Sequence, residues 1–164
     1  IVQALSRAYR HKTPLSVVYH SKSSEPEERV ICPHNIVQTD LRWHVRAWDA
    51  LRGRFVDLVP SRILKAALNP KAEWVPAESD TAWNTLVDIV LIPSNRQPEE
   101  QKRIIERDYQ MADGRRILPT RECLTYYQLS AMHLIDAVRE HNGDPVERNY
   151  GIAVENWQDM LKFI

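Results

Sequence analysis

Glycine is scarce in this chain, with four residues in 164. A loop that cradles phosphate through its backbone amides needs several glycines at close spacing, so that class of site is excluded. Cysteine is scarcer still. Cys32 and Cys123 stand far apart and form neither a zinc-type CxxC pair nor a disulfide framework, so they read as free thiols of a cytoplasmic protein. No apolar run approaches the roughly 20 residues of a membrane-spanning helix, and no membrane partner is expected. The opening stretch IVQALSRAYRHK lacks the apolar core and small-residue cleavage site of a signal peptide. It also lacks an initiator methionine, so a fragment of something longer is expected.

Net charge is absent as well, because 22 Lys+Arg meet 22 Asp+Glu. The balance hides an asymmetry. Residues 1–66 carry 11 basic against 6 acidic groups, an excess of +5, and residues 67–164 carry 11 against 16, an excess of −5. Such a division points to two units, the first of which meets an anion. The length allows two small domains, and the 43% hydrophobic and 27% charged composition is that of a globular protein.

Residues 1–11 are predicted to form a helix with Val2, Leu5 and Tyr9 on its apolar face, stopped at Thr13-Pro14. Short strands follow at 15–21, 29–38, 41–49 and 54–59, the first two separated by the polar loop SKSSEPEE. Pro33 suits an edge or bulged position better than a central strand. Ala50-Leu51-Arg52-Gly53 reads as a hairpin turn. Several close-set strands with little helix suggest a small barrel. Residues 67–79 contain two prolines and no clear period, and read as a linker. Beyond it, 83–92 is expected as a central strand, 98–109 as a helix and 115–120 as a strand after the Asp113-Gly114 turn. Residues 122–139 are expected as one long helix with Leu124, Tyr127, Ala131, Leu134 and Val138 in a continuous buried stripe. The tail shows only an amphipathic stretch at 154–164. This half reads as a βαβα unit, an α/β sandwich.

The segment Leu41-Arg42-Trp43-His44-Val45-Arg46-Ala47-Trp48 carries the most information. Strand alternation points Trp43, Val45 and Ala47 to a core, and Arg42, His44, Arg46 and Trp48 to the opposite face. That second row is either a solvated face with scattered ion pairs or a surface for phosphate and base stacking. Arg29, Arg52, Arg54 and Arg62 lie close by in sequence. Other chemistry finds no support. Cys32 with His34 makes at most two metal ligands, and no oxyanion-hole motif accompanies a cysteine nucleophile. Asp108 and Asp113 sit near a helix end and a turn, where acids are routine. The Tyr126-Tyr127 pair fits packing. The chain is expected to have no catalytic residues, no metal and no cofactor.

The order of these elements resembles a WYL domain. The residues that carry the resemblance are Val18-Tyr19-His20-Ser21, Arg29-Val30-Ile31-Cys32-Pro33-His34, Arg42 to Trp48, Arg54-Phe55 and Ser61-Arg62-Ile63. The Trp-Tyr-Leu triplet that names the family would be Trp43-His44-Val45, so a tyrosine hydroxyl has no counterpart at His44. Leu91-Ile92-Pro93, residues 105–111, Asp113-Gly114 and Arg121 to Tyr127 are similar to the C-terminal extension that follows such domains. Regulators found beside phage-defence operons share the Pro33-His34 and Arg42 to Ala47 elements. The resemblance implies an α+β protein, with an Sm/SH3-like β-barrel at 1–66, a linker at 67–79 and a dimerising α/β sandwich at 80–164. It implies a basic pocket for a nucleotide or oligonucleotide, lined by Tyr19, Ser21, Arg29, His44, Arg46 and Arg62, with Arg46 and Arg62 as main anchors. Tyr19 fits the core equally well, since it alternates with Leu15 and Val17. The family's winged helix-turn-helix, which binds operator DNA, would precede Ile1, so a repressor's effector and homodimer region is expected. A stand-alone single-stranded nucleic-acid-binding barrel and a purely structural oligomerisation module are the alternatives.

Overall fold

The structure, a computed structural model, describes residues 1–39, 42–146 and 150–164. Leu41, at the head of the strand expected over 41–49, lies outside the described residues. Two compact units form, Ile1–Asp80 and Thr81–Ile164.

The first unit opens with helix α1 (Val2–His11). Lys12 turns left-handed at φ 48°, and Thr13 N–H then bonds to Ala8 O at 3.0 Å, closing the helix end before Pro14. The helix buries Leu5 and Ala8 rather than the expected Val2, Leu5 and Tyr9, since Val2 and Tyr9 are exposed. Alanine at position 8 lets the backbone lie close to the sheet, which turns that face inward.

Five strands follow: β1 (Leu15–Tyr19), β2 (Glu27–Gln38), β3 (Trp43–Asp49), β4 (Arg54–Leu58) and β5 (Ile63–Leu68). They pair antiparallel in the order β4-β3-β2-β1-β5. No ladder joins β4 to β5 among the described residues, so the pairing itself describes a sheet with two edges. Pro33 stands in a central strand, against the edge expectation, and at a bulge, in agreement with the other one. The β2–β3 register shifts between Pro33 and Asn35, where the missing proline amide interrupts the ladder. The turn after β3 closes as expected, with Asp49 O accepting the N–H groups of Arg52 and Gly53.

Leu15, Val17, Tyr19, Ile31, Val45, Ala47, Leu58 and Ile63 form one core with Leu5 and Ala8. Trp43, expected beside Val45 and Ala47, is 53% exposed at the strand's first position. Residues 67–79 do not behave as a free linker. Leu68 still belongs to β5, and residues 69–80 lie back on the sheet. Asn69 N–H bonds to Pro14 O, and the Cys32 sulfur contacts Glu73 O at 3.7 Å and Val75 N at 3.4 Å.

The second unit is a three-stranded antiparallel sheet, β7-β6-β8, with helices around it. A short helix α2 (Thr81–Asn84) takes Trp83 out of the expected strand, and β6 (Leu86–Pro93) is the central strand. Helix α3 (Glu99–Asp108) and β7 (Arg116–Arg121) follow near their expected places. The single helix expected at 122–139 is instead a 3-10 turn, then α4 (Thr125–Ala131) and α5 (Ile135–Glu140). His133 takes φ 57°, and Leu134 N–H bonds back to Leu129 O while His133 N–H bonds to Ser130 O. This closes α4, with Leu129 and Leu134 both buried at the break. The buried set becomes Thr125, Leu129, Leu134, Ala137 and Val138. The tail supplies β8 (Ile152–Val154) and α6 (Trp157–Met160).

Gly143 adopts φ 81°, and a Cβ there would stand 2.1 Å from Val154 O and 2.8 Å from Trp157 Cβ. Gly53 at φ 61° has nothing within 4 Å of such a Cβ. Urea denaturation should therefore show Gly143→Ala losing about 3 kcal/mol or more, from backbone strain plus overpacking, and Gly53→Ala about 1 kcal/mol from strain alone. Equal losses would contradict the close approach of the β8 segment.

Candidate anion-binding site

The six sequence candidates separate onto two faces of the first unit's sheet. Tyr19 and Arg29 lie on the core face, as alternation from Val17 and Ile31 requires. The Arg29 guanidinium sits 4.9 Å from the Tyr19 ring centroid, and Nη1 donates to Asp49 Oδ2 at 2.8 Å while Nη2 pairs with Glu27. The Arg29 bond holds the Glu27 carboxyl below the usual carboxylate range. Tyr19 Oη accepts Val59 N–H at 3.2 Å, so its hydroxyl serves the fold. Arg29 and Tyr19 form a polar corner of the core, in which Arg29 Nη1 and Nη2 are paired and its buried Nε has no hydrogen-bond partner among the described residues.

His44 and Arg46 point the other way, opposite Val45 and Ala47. The row expected to face outward is buried here: His44 is 3% exposed and Arg46 7%. Arg46 donates from Nε to Asp80 Oδ2 at 2.7 Å and from Nη2 to Asp80 Oδ1 at 3.0 Å, a two-point grip. Its Nη1 reaches Asp57 Oδ1 at 3.2 Å. His34 Nε2 lies 3.0 Å from Asp80 Oδ2 and His34 Nδ1 2.7 Å from Asn35 Oδ1. Asp80 is 1% exposed. The expected main anchor Arg46 is thus held by two internal carboxylates. Trp48, proposed for base stacking, packs edge-on against Phe55 with centroids 5.2 Å apart.

Arg62 and Ser21 lie at the end of the sheet where β1 finishes. Arg62 closes the 3-10 turn Pro60–Arg62, which packs against β3, and its carbonyl accepts His20 N–H at 3.0 Å. Ser21 Oγ bonds to Ser24 Oγ at 2.7 Å and accepts Ser23 N–H. Neither Arg42 nor Arg62 pairs with a carboxylate among the described residues. Both act on His44. Burial, most of all, and then Arg42 hold its pKa below the ordinary 6.5, with Arg62 adding to the depression and Asp57 opposing it. Arg42 precedes β3, and His44 is its second residue. The turn ending at Arg62 follows β4, whose Leu58 pairs with Val45, and packs against β3. The three therefore lie toward one end of that strand, and Ser21 adjoins through His20.

One cavity of this unit, about 550 Å³, lies on the side of the sheet that carries Ser16, Val18, Glu28, Val30 and Lys65, and Arg29 is its one lining residue among the six. A second, of about 320 Å³ beside α1, touches Tyr9, Asn35 and Ile36 and none of the six. Sequence reasoning missed His34, Asp57 and Asp80, because their importance comes from contacts with Arg46 rather than from any local motif. Cys32 is inert by comparison, since burial pushes its thiol pKa up.

His44 gives a pH dependence with a definite sign. An unfolded histidine binds a proton near 6.5, and folded His44 does so only at lower pH. In that window the unfolded chain holds more protons, so stability is full above 6.5 and falls as pH drops toward the folded value. Urea midpoints measured from about pH 7.5 to 5 should fall less steeply in His44→Gln than in the wild type. Parallel profiles would show His44 titrating normally.

Residues 1–68 match the WYL domain, and residues 86–160 match the domain described as "BrxR transcriptional regulator, C-terminal dimerization domain". The DNA-binding transcriptional repressor CapW of Escherichia coli (strain KTE188) is 36% identical over 137 residues, 83% of this chain and 46% of its own length. CapW of Stenotrophomonas maltophilia is 35% identical over 81% of this chain and 45% of its own. CapW of Pseudomonas aeruginosa is 35% identical over 100% of this chain and 54% of its own. The chain spans about half the length of the curated relatives it matches. It belongs to the WYL family, as a WYL domain followed by a BrxR-type C-terminal dimerization domain.

Proposed function

We propose that this chain is the effector-binding and self-associating region of a bacterial transcriptional repressor, of the kind that controls a phage-defence operon. DNA binding belongs, in this reading, to a part of the whole protein outside these 164 residues. What supports it is the match to relatives that are DNA-binding repressors and roughly twice as long. The second unit is the homodimer contact, supported by its family match and by apolar side chains exposed on it, among them Leu86, Ile117 and Tyr150. The first unit is read as an Sm/SH3-like barrel, an arrangement supported by its five-strand order.

The ligand is a phosphate-bearing nucleotide or short oligonucleotide. The observation that carries this is the convergence of Arg42, His44 and Arg62 where the 3-10 turn meets β3. Arginine grips phosphate through two N–H donors, and a neutral buried histidine beside it can take up a proton when an anion arrives. Ser21 adds a hydroxyl donor at the same end, Arg46 stands on the His44 face of β3, and Arg29 and Tyr19 lie on the opposite, core face. A stand-alone single-stranded nucleic-acid barrel draws less support, because His44 and Arg46 of the β3 row are buried and Trp48 is packed against Phe55.

The test is calorimetric titration with 5′-phosphorylated dithymidylate at two salt concentrations. Wild type should bind, more weakly as salt rises. Arg62→Ala should weaken binding roughly tenfold, since a charge-assisted contact contributes about 1.5–3 kcal/mol. Equal binding by Arg62→Ala and wild type would place the ligand elsewhere.

A further inference from the structure

Residues 69–80 form a strap across the outer face of β2 and β3. It holds two prolines, Pro70 and Pro76, and one short 3-10 turn, Ala77–Ser79. Its contacts at Cys32 are with sulfur, a weak hydrogen-bonding partner. One residue of the strap is buried, and it is a charged one, Asp80, while Lys71, Glu73 and Glu78 are exposed. Burying a carboxylate is costly unless its charge and lone pairs are met, and Arg46 with His34 meets them. The strap is therefore tied at its last residue by a buried ion pair. Thr81 begins the second unit directly after it.

We infer that Asp80 is a latch, a tethered carboxylate holding the Nε/Nη2 edge of Arg46 that a ligand's phosphoryl group takes over, releasing residues 69–80. The inference rests on the ligand reading above and extends it to signalling. Three features carry it. The Asp80 grip is the two-point geometry with which arginine also receives phosphate, so one group can replace the other without moving Arg46. Asp57 holds Nη1 from the neighbouring strand, so Arg46 stays in place during the exchange. His44 and Arg46 are two residues apart on one face of β3, roughly 7 Å, so a ligand seated at Arg42, His44 and Arg62 can extend a second phosphate to Arg46.

A tethered group competes at an effective concentration of order mM, so a monovalent carboxylate yields to a group bearing more charge. The ligand class that fits is a molecule with at least two phosphates, such as a phosphorylated dinucleotide. Replacing Asp80 frees the strap at the residue that leads into the second unit, and so joins ligand binding to the chain's other half.

The test uses the full chain, 5′-phosphorylated dithymidylate and hydrogen exchange. Asp80→Asn should bind the dinucleotide at least fivefold more tightly than wild type, and its amides at 72–79 should exchange faster without ligand. In wild type the dinucleotide should speed exchange at the same amides. Arg46→Lys keeps the charge and loses the fork, so it should loosen the strap without gaining affinity. Unchanged affinity in Asp80→Asn, a strap that stays protected in liganded wild type or in Arg46→Lys, or binding by neither protein, overturns the latch. If Arg62→Ala loses binding while Asp80→Asn matches wild type, the ligand reading stands and the latch falls. If Asp80→Asn gains affinity and loosens the strap while Arg62→Ala binds as wild type, the latch stands and the rim at Arg62 falls.

Discussion

A guanidinium can be buried only where carboxylates or carbonyls meet its donors, and Arg46 imposes that condition on the first unit. Its neighbour in the sheet, Asp57, satisfies one edge, and Asp80, 34 residues along the chain, satisfies the other. Meeting Arg46 at Asp80 requires residues 69–80 to return to the sheet, which covers the outer face of β2 and β3 and sets the unit's end at Asp80. The same pairing tempers the unit's charge. Counted to Asp80, the first unit has 12 basic and 9 acidic groups, an excess of +3 in place of the +5 found to residue 66.

The sheet then separates two kinds of arginine. Arg29 and Arg46 are held by internal acids on opposite faces, and their role is to fix β2, β3 and the strap. Arg42 and Arg62 stand at the rim with His44 between burial and positive charge. Among the described residues Arg29 and Arg46 are neutralised by carboxylates while Arg42 and Arg62 are not, and the proposed anion site rests on that contrast beside the buried His44.

Much of this was legible in the sequence, for particular physical reasons. Alternation placed Val45 and Ala47 in the core, Gly53 marked the turn, and Pro33 marked the bulge. What failed were features without local signals. His133 closes α4 in a left-handed conformation that glycine usually supplies, so the stripe from Leu124 to Val138 read as one helix. Val2 and Tyr9 had helical spacing, but the sheet accepted the face with Ala8. Two-face alternation also cannot show that both faces of β3 are buried, because the cover comes from a segment that looks like a linker. Of the six candidate residues, Arg62, Ser21 and His44 share one end, while Tyr19, Arg29 and Arg46 are held in internal contacts.

The central claim is that Arg42 and Arg62 bring positive charge to the buried His44, where the proposed anion would sit. The most direct measurement is the His44 imidazole pKa by NMR, with and without saturating 5′-phosphorylated dithymidylate. The account predicts a value below 6.5 in the free protein and an upward shift when the dinucleotide's phosphates settle beside Arg42 and Arg62. An ordinary pKa in the free protein, or one that stays depressed when the ligand is bound, would contradict it.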